Sequence, residues 1–399
     1  MGGDERDAPP RSAAVRVPLC VPLTTAPEGM TVDERERHMR RALELAARGR
    51  GIVSPNPMVG AVLVDASGEV VGEGWHEGPF TPHAEAMALR HAGERARGAA
   101  LYCTLEPCTH RGRTPPCTDG LIAAGVARAV IAATDPNPAV DGGGFEVLSA
   151  AGVTVERGAL REEAERLNRA FDRHVVTGLP YVTLKMAASL DGKTAARDGS
   201  SKWITGEAAR ADVQRLRAAA DAIVVGAGTV LADDPSLTAR DPDYRGAPVR
   251  RVVVDAAGRV PADRRVFDRE APTTVATTVD APEARLRAWR DAGADVVVLG
   301  RDPHGGASLR ALMEHLGKAD TQGVLVEGGA SLAWSAIRDG LVDELVLYLA
   351  PALVGGVDAP GVLGGAGFAP IGDAARLDHV RVTNVGPDLK VEADVHRDR

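Results

Sequence analysis

One stretch constrains this chain more than any other. It reads His83-Ala84-Glu85, then Glu106-Pro107-Cys108, then Gly112-Arg113-Thr114-Pro115-Pro116-Cys117. One imidazole and two thiolates are good zinc ligands, and three protein ligands leave a fourth position open, as in a catalytic rather than a structural site. A metal so held lowers the pKa of a water in that position toward neutrality. Glu85, two residues past the histidine, is placed to move protons without binding the metal. Helix signals agree with this assignment of His83, Cys108 and Cys117 as ligands. Thr81-Pro82 reads as an N-cap followed by proline at the first helical position, which sets His83 and Glu85 in the first turn of a helix running to about Arg97. Thr114-Pro115-Pro116 opens a second helix that carries Cys117, where free amides favour a thiolate. The plain alternative is a buried histidine and two reduced cysteines with no metal. The joint supply of ligands, proton shuttle and helix starts argues against it.

His-x-Glu followed by Pro-Cys and a second cysteine is similar to the signature of zinc-dependent nucleobase deaminases. Cytidine and tRNA-adenosine deaminases space their cysteines as Cys-x-x-Cys, whereas here Thr109 to Pro116 intervene. The segment Cys-Thr-His-Arg-Gly-Arg-Thr-Pro-Pro-Cys resembles the bifunctional deaminase–reductase family of riboflavin biosynthesis.

Composition bounds the rest. A chain of 399 residues exceeds one typical core and predicts two domains. A net charge of −8 argues against a nucleic-acid-binding surface while leaving room for a local pocket that takes one phosphate. Four cysteines, two assigned to metal, give no disulfide framework, and no apolar run reaches membrane length, so a cytoplasmic location is expected. Cys103 ends an apolar run and reads as a core residue. Cys20 falls within residues 1–29, which are rich in Pro, Gly and charge, lack a signal-peptide layout and read as a disordered extension.

Residues 30–178 read as the first domain. Thr31 and Glu34 form a capping box, and Met39, Leu43 and Ala46 follow at helical spacing. Strands are expected over 59–64, 70–75, 99–104, 129–133 and 153–156, with helices between and a closing helix over 160–174. That order gives an α/β/α sandwich. Loops after strands on one sheet edge are where sites are built. Asn56 suits a pyrimidine edge, His76 and Arg113 a phosphate, and Asp135 and Asn137 ribose hydroxyls or the ring edge. Asn-Pro and Asp-Pro are also ordinary turn formers. The family resemblance implies that all five positions contact the nucleotide substrate.

The pattern restarts after Gly178-Leu179-Pro180, so residues 179–399 read as a second domain. A strand over 181–187 leads into polar loops, a helix to about Ala220, and a strand ending in Gly226-Ala227-Gly228-Thr229-Val230. Leu231 stands where a dinucleotide fingerprint carries its third glycine, and Asp233-Asp234-Pro235 closes the helix early, so a standard Rossmann fingerprint is rejected. Further strands over 252–255, 274–277 and 296–299 precede Val324 to Ser331. There a strand ends in Glu327-Gly328-Gly329 and opens a helix, which suits an anion, or is a simple glycine turn.

This half resembles the reductase domain of the same family, an α/β fold like dihydrofolate reductase that uses NADPH. The resemblance implies NADPH contacts at Ala187, Trp203, Thr229, Asp233 and Gly329. It implies substrate contacts at Ser201, Arg217, Leu237, Arg240 and Glu327, with Lys185 and Glu327 nearest the reacting sugar carbon. Arg217 and Arg240 are the expected phosphate partners, since guanidinium suits phosphate. Ala256 stands where the family often has serine, and Trp334 where it usually has a small residue; both bear on cofactor affinity.

Together these readings imply one zinc per chain and two steps. A phosphoribosyl diaminopyrimidinone is deaminated with Glu85 as general acid and base, and its ribosyl group is then reduced to ribityl by NADPH. The partner is the small-molecule substrate, with no nucleic acid or membrane, in a homo-oligomer. A nucleic-acid deaminase is a rival that the cysteine spacing and acidic charge oppose; binding to RNA at low salt would favour it. A nucleotide-binding paralogue without turnover is opposed by the intact ligand set; activity unaffected by zinc loss would favour it. A chain with only one active half is the third alternative.

Overall fold

The computed structural model describes residues 32–110, 115–137 and 143–396. Thr31 of the expected capping box, Cys20, the segment 1–29 and Arg113 lie outside them. The first half runs α1 (Val32–Ala47), β1 (Gly60–Val64), β2 (Val70–Trp75), α2 (Ala84–Ala92), β3 (Ala100–Leu105), α3 (Cys117–Ala123), β4 (Arg128–Ala133), α4 (Gly143–Ala150), β5 (Thr154–Arg157) and α5 (Arg161–Thr177). Its five strands form one sheet in the order β2-β1-β3-β4-β5. Successive strand residues face opposite sides. Leu63, Leu101 and Ile131 pack with Ala88, Leu121 and Phe145 of α2, α3 and α4. Their neighbours Val62, Tyr102 and Val130 pack with Met39, Leu45 and Ala164 of α1 and α5. The result is an α/β/α sandwich.

Two glycines set the height of the metal-binding helix. A Cβ on Gly74 would stand 2.2 Å from the Ala84 carbonyl oxygen, and one on Gly72 2.2 Å from that of Ala88. Only glycine lets α2 lie flat on β2. The helix starts later than the Thr81-Pro82 signal suggests. His83 is the N-cap, in extended conformation, and α2 stops at Ala92 with one 3-10 turn after it. The Thr81 hydroxyl donates to the Gly78 carbonyl at 2.8 Å, which ties it to the preceding loop.

The second half runs β6 (Tyr181–Ser189), α6 (Glu207–Ala218), β7 (Ala222–Gly226), α7 (Ala227–Asp233), β8 (Arg250–Val254), β9 (Thr273–Thr277), α8 (Glu283–Asp291), β10 (Asp295–Val298), α9 (Leu309–Lys318), β11 (Gly323–Glu327), α10 (Ala330–Arg338), β12 (Glu344–Ala350), β13 (Leu377–Val385) and β14 (Asp388–Val395). The sheet order is β10-β9-β8-β7-β11-β6-β12-β14-β13. Strands β6 to β12 are parallel; β14 is antiparallel to β12 and forms an antiparallel hairpin with β13. Parallel strands need cover on both faces. Leu312, Leu316 and Ala336 of α9 and α10 cover Leu184, Val224 and Val324. Val230 and Trp289 of α7 and α8 cover Ile223 and Val253. Helix α7 follows β7 directly and ends at Asp233, with Asp234 in the left-handed region at φ 44°. Among the described residues no helix is long and apolar enough to cross a membrane.

Candidate active site

Two centres emerge, one in each half. In the first, His83 caps α2, Cys108 lies in the turn after β3, and Cys117 opens α3. Their ligand atoms all lie within 4.8 Å of one another. His83 Nδ1 is 3.3 Å from Cys117 Sγ and 3.5 Å from Cys108 Sγ. Zn–S bonds of about 2.3 Å and Zn–N bonds of about 2.0 Å place tetrahedral ligand atoms roughly 3.5–3.8 Å apart. The donor set and its spacing therefore fit zinc. The Cys117 amide donates to Cys108 Sγ at 3.4 Å. Hydrogen bonds from Cys117 and His83 hold the Cys108 thiol down to about 4, while contact with Cys108 and burial push Cys117 up. A coordinating dication would ionise both sulfurs. Glu85 is buried beside them, and burial, then the charge at Cys108, raises its carboxyl.

Beside this cluster, Asn56 Nδ2 is 3.1 Å from His76 Nε2, and His76 Nδ1 is 3.3 Å from the Pro82 carbonyl oxygen. A carbonyl only accepts, which assigns the proton to Nδ1 and leaves Nε2 to accept from Asn56. Burial lowers the His76 pKa and favours the neutral ring. Both nitrogens of His76 are thus engaged, and the ring orients Asn56. It also meets the His83 ring edge-on at 5.6 Å.

Asp135 follows β4 and accepts from the Asn137 amide at 2.9 Å. Its own amide donates to Glu106 Oε2 at 3.3 Å, and Glu106 Oε1 accepts from the amides of Gly144 and Phe145 at 2.9 and 3.3 Å. Buried Glu106 so ties the Cys108 turn to the Asp135 loop, a role that the Glu-Pro-Cys run did not disclose. Asn168 on α5 likewise binds the Met58 amide at 2.8 Å and carbonyl at 2.9 Å, holding the Asn56 loop. Nothing in its amphipathic helix marked it out.

Asp172 on α5 carries a buried Oδ1 with no hydrogen-bond partner among the described residues. Burial, then the charge of Asp135, raises its pKa to about 7. Unfolded Asp titrates near 3.9, so the folded chain binds this proton more tightly; stability is complete below about pH 4 and falls as pH rises through 7. Asp172→Asn mimics the neutral acid. It is expected to raise the melting temperature at about pH 8 and leave it near wild type at about pH 4. Equal shifts at both would contradict the assignment.

The second centre is a cavity of about 1040 Å³ at the ends of the parallel strands. Lys185, Ala187, Ser201, Trp203, Arg217, Thr229, Asp233, Leu237, Arg240, Glu327 and Gly329 all line it. Strand register pairs Lys185 with Glu327 across β6 and β11. Arg217 donates to both Glu327 oxygens, from Nε at 2.7 Å and Nη2 at 2.8 Å, and from Nη1 to the Thr238 carbonyl at 3.3 Å. Burial pushes the Glu327 carboxyl up, but Arg217 and then Lys185 bring it below its usual value. Burial lowers the Lys185 pKa, partly offset by Glu327. Arg217 is thus paired with a carboxylate where a phosphate was expected, while Arg240 stands exposed at the rim. Gly328 and Gly329 have φ of 75° and 84°, a turn that glycine permits before α10. Trp334 packs edge-on against Phe368 at 4.8 Å and is absent from the cavity wall, whereas Ala256 is part of it. Gly305, Gly306 and Ala307 also line the cavity, a segment marked in the sequence only by its Gly-Gly pair.

A His/Cys/Cys metal centre joined to this second cavity defines a zinc-dependent deaminase fused to an NADPH-dependent reductase. Residues 32–133 match the cytidine and deoxycytidylate deaminase zinc-binding region, and residues 180–391 match the RibD C-terminal domain. The chain is 44% identical over 374 residues to the riboflavin biosynthesis protein RibD of Bacillus amyloliquefaciens, covering 91% of this chain and 100% of that one. It is similar in structure to RibD of Acinetobacter baumannii, with 38% identity and a TM-score of 0.81 over 92% of this chain and 100% of the other. It is also similar to the diaminohydroxyphosphoribosylaminopyrimidine deaminase/5-amino-6-(5-phosphoribosylamino)uracil reductase of Thermotoga maritima, with 34% identity and a TM-score of 0.79 over 92% and 99%. The chain belongs to the RibD family of riboflavin biosynthesis. It is a bifunctional enzyme, with deamination followed by reduction.

Proposed function

We propose that residues 30–178 carry the deamination of the phosphoribosyl diaminopyrimidinone and residues 179–399 the reduction of its ribosyl group. The observation that carries this reading is the His83, Cys108 and Cys117 cluster with Glu85 buried beside it. Zinc held by these three ligands supplies the Lewis acidity that activates water. Glu85 accepts the proton released from that water and returns it to the departing ammonia. Asn56, oriented by His76, meets the pyrimidine edge; Asp135 and Asn137 meet the ribose or ring; Arg113 meets the phosphate.

In the second cavity NADPH supplies the hydride. Ala187, Trp203, Thr229, Asp233 and the Gly329 turn bind it. Ser201, Leu237 and Arg240 bind the substrate, with Arg240 toward the phosphate. Lys185 and Glu327 flank the sugar carbon, and Arg217 keeps Glu327 ionised and oriented. A coupled assay on zinc-loaded protein tests the division. Ammonia release without NADPH, and NADPH oxidation only after deamination, is the expected result. NADPH oxidation that does not depend on prior deamination would overturn the order.

The free thiols of Cys103, Cys108 and Cys117 favour a reducing cytoplasm as the location. A homo-oligomer is supported by β13, an edge strand whose Val380 and Val382 are 54% and 58% exposed, beside Ile371 at 85%. Apolar edges of this kind invite pairing with a second copy. Sedimentation at the mass of a single chain would count against it.

A further inference from the structure

The loop that carries Asn56 is held from outside its own sheet. Gln322, the residue before β11, is buried, and its Nε2 donates to the Pro55 carbonyl oxygen at 2.6 Å. Gln322 is itself firmly placed. Its amide donates to Asp221 Oδ2 at 2.8 Å, and its carbonyl accepts from the Tyr181 amide at 2.7 Å.

A second contact lies earlier in the same loop. A Cβ on Gly51 would stand 1.9 Å from the Ala218 carbonyl oxygen, at the end of α6. A Cβ on Gly246 would stand 2.2 Å from the Gly51 carbonyl oxygen. The loop backbone therefore rests closely on backbone of the second half, with the Tyr244 ring beside both glycines. Its far end is pinned by Asn168 at Met58. Asn56 sits between these anchors, and its amide reaches His76, whose ring abuts the ligand His83.

We propose that Gln322 is a positioning residue for deamination. By holding Pro55, the reductase half seats Asn56 against the metal centre and completes the deaminase substrate loop. This rests on the reading that Asn56 meets the pyrimidine. Gln322 is buried and fixed in place, so the donor it gives Pro55 holds the loop in one position, and removing that donor releases the loop from the reductase half. A displacement of even about 1 Å at a substrate-binding group is felt in binding and turnover. The fusion of the two halves then serves the first reaction as well as the second.

The test uses full-length, zinc-loaded protein. Gln322→Met keeps side-chain length and removes the donor. It is expected to raise the deamination KM about tenfold with kcat within about twofold, the upper end of what one hydrogen bond contributes. Zinc content and reduction of supplied deaminated substrate should not change. Gly246→Ala pushes on Gly51 from the other contact and should give the same KM-specific effect, which also covers a Gln322→Met protein that fails to fold. In an Asn56→Ala background, Gln322→Met should add little, because both act through one group. An unchanged deamination KM in both Gln322→Met and Gly246→Ala, or parallel loss of both activities, would overturn the proposal. An unchanged KM in Asn56→Ala alone would instead overturn the substrate role of Asn56 on which it rests.

Discussion

Glu85→Gln is expected to lower ammonia release by a factor of about 10²–10⁴, the usual contribution of a positioned general acid–base, while leaving reduction of supplied deaminated substrate intact. The amide has the shape of the carboxylate but cannot take a proton from water. The three ligand atoms are untouched, so zinc content should remain near one per chain. Folding should not suffer either. Burial already disfavours the Glu85 charge, and a neutral amide removes that cost. Metal analysis, melting temperature and the two separate assays check the set. Loss of zinc would make Glu85 a ligand rather than a proton carrier. Loss of both activities in a folded protein would contradict two independent centres.

Arg217→Met should have the second largest effect, and on the other reaction. Both partners of the Arg217–Glu327 pair are nearly buried, with 12% and 8% of their side chains exposed. Removing one member of such a pair costs about 3–5 kcal/mol, because the remaining charge is left without its partner. Lys185 cannot take the place of Arg217, since it has a single ammonium point rather than a fork that meets both oxygens. The melting temperature should fall, and NADPH-dependent reduction should drop at least about a hundredfold through loss of an oriented carboxylate beside the sugar. Adding Glu327→Leu should recover stability, since two apolar groups replace the pair, without recovering activity. Recovery of reduction in the double variant would show that the pair is a folding device and nothing more.

The contrast between these two sites also measures what could be read from sequence. The ligands of the first are short-range signals: residue types suited to one metal, at helix starts, with Glu85 two positions on. The strands on both sides of them were legible because apolar runs and turn residues are contiguous. The residues of the second centre came through family resemblance, and all eleven line one cavity. Their partners were not legible. Arg217 was matched to phosphate on the chemistry of guanidinium alone, and only its approach to Glu327, 110 residues away, revealed the competing carboxylate. The place of the His76 ring between Asn56 and Pro82 likewise depends on packing rather than on any local pattern.

By itself, then, the sequence determined the candidate metal ligands and candidate proton carrier, the alternation of strands and helices, and the restart after Pro180. These depend on residue chemistry and on periodicity over a few turns or strands. The tertiary structure alone decided that Glu106 joins two site loops, that Asn168 clamps Met58, and that Gln322 reaches Pro55 across 267 residues. A buried polar group must find a partner, but which one it finds depends on how separate elements pack, and no local pattern encodes that choice.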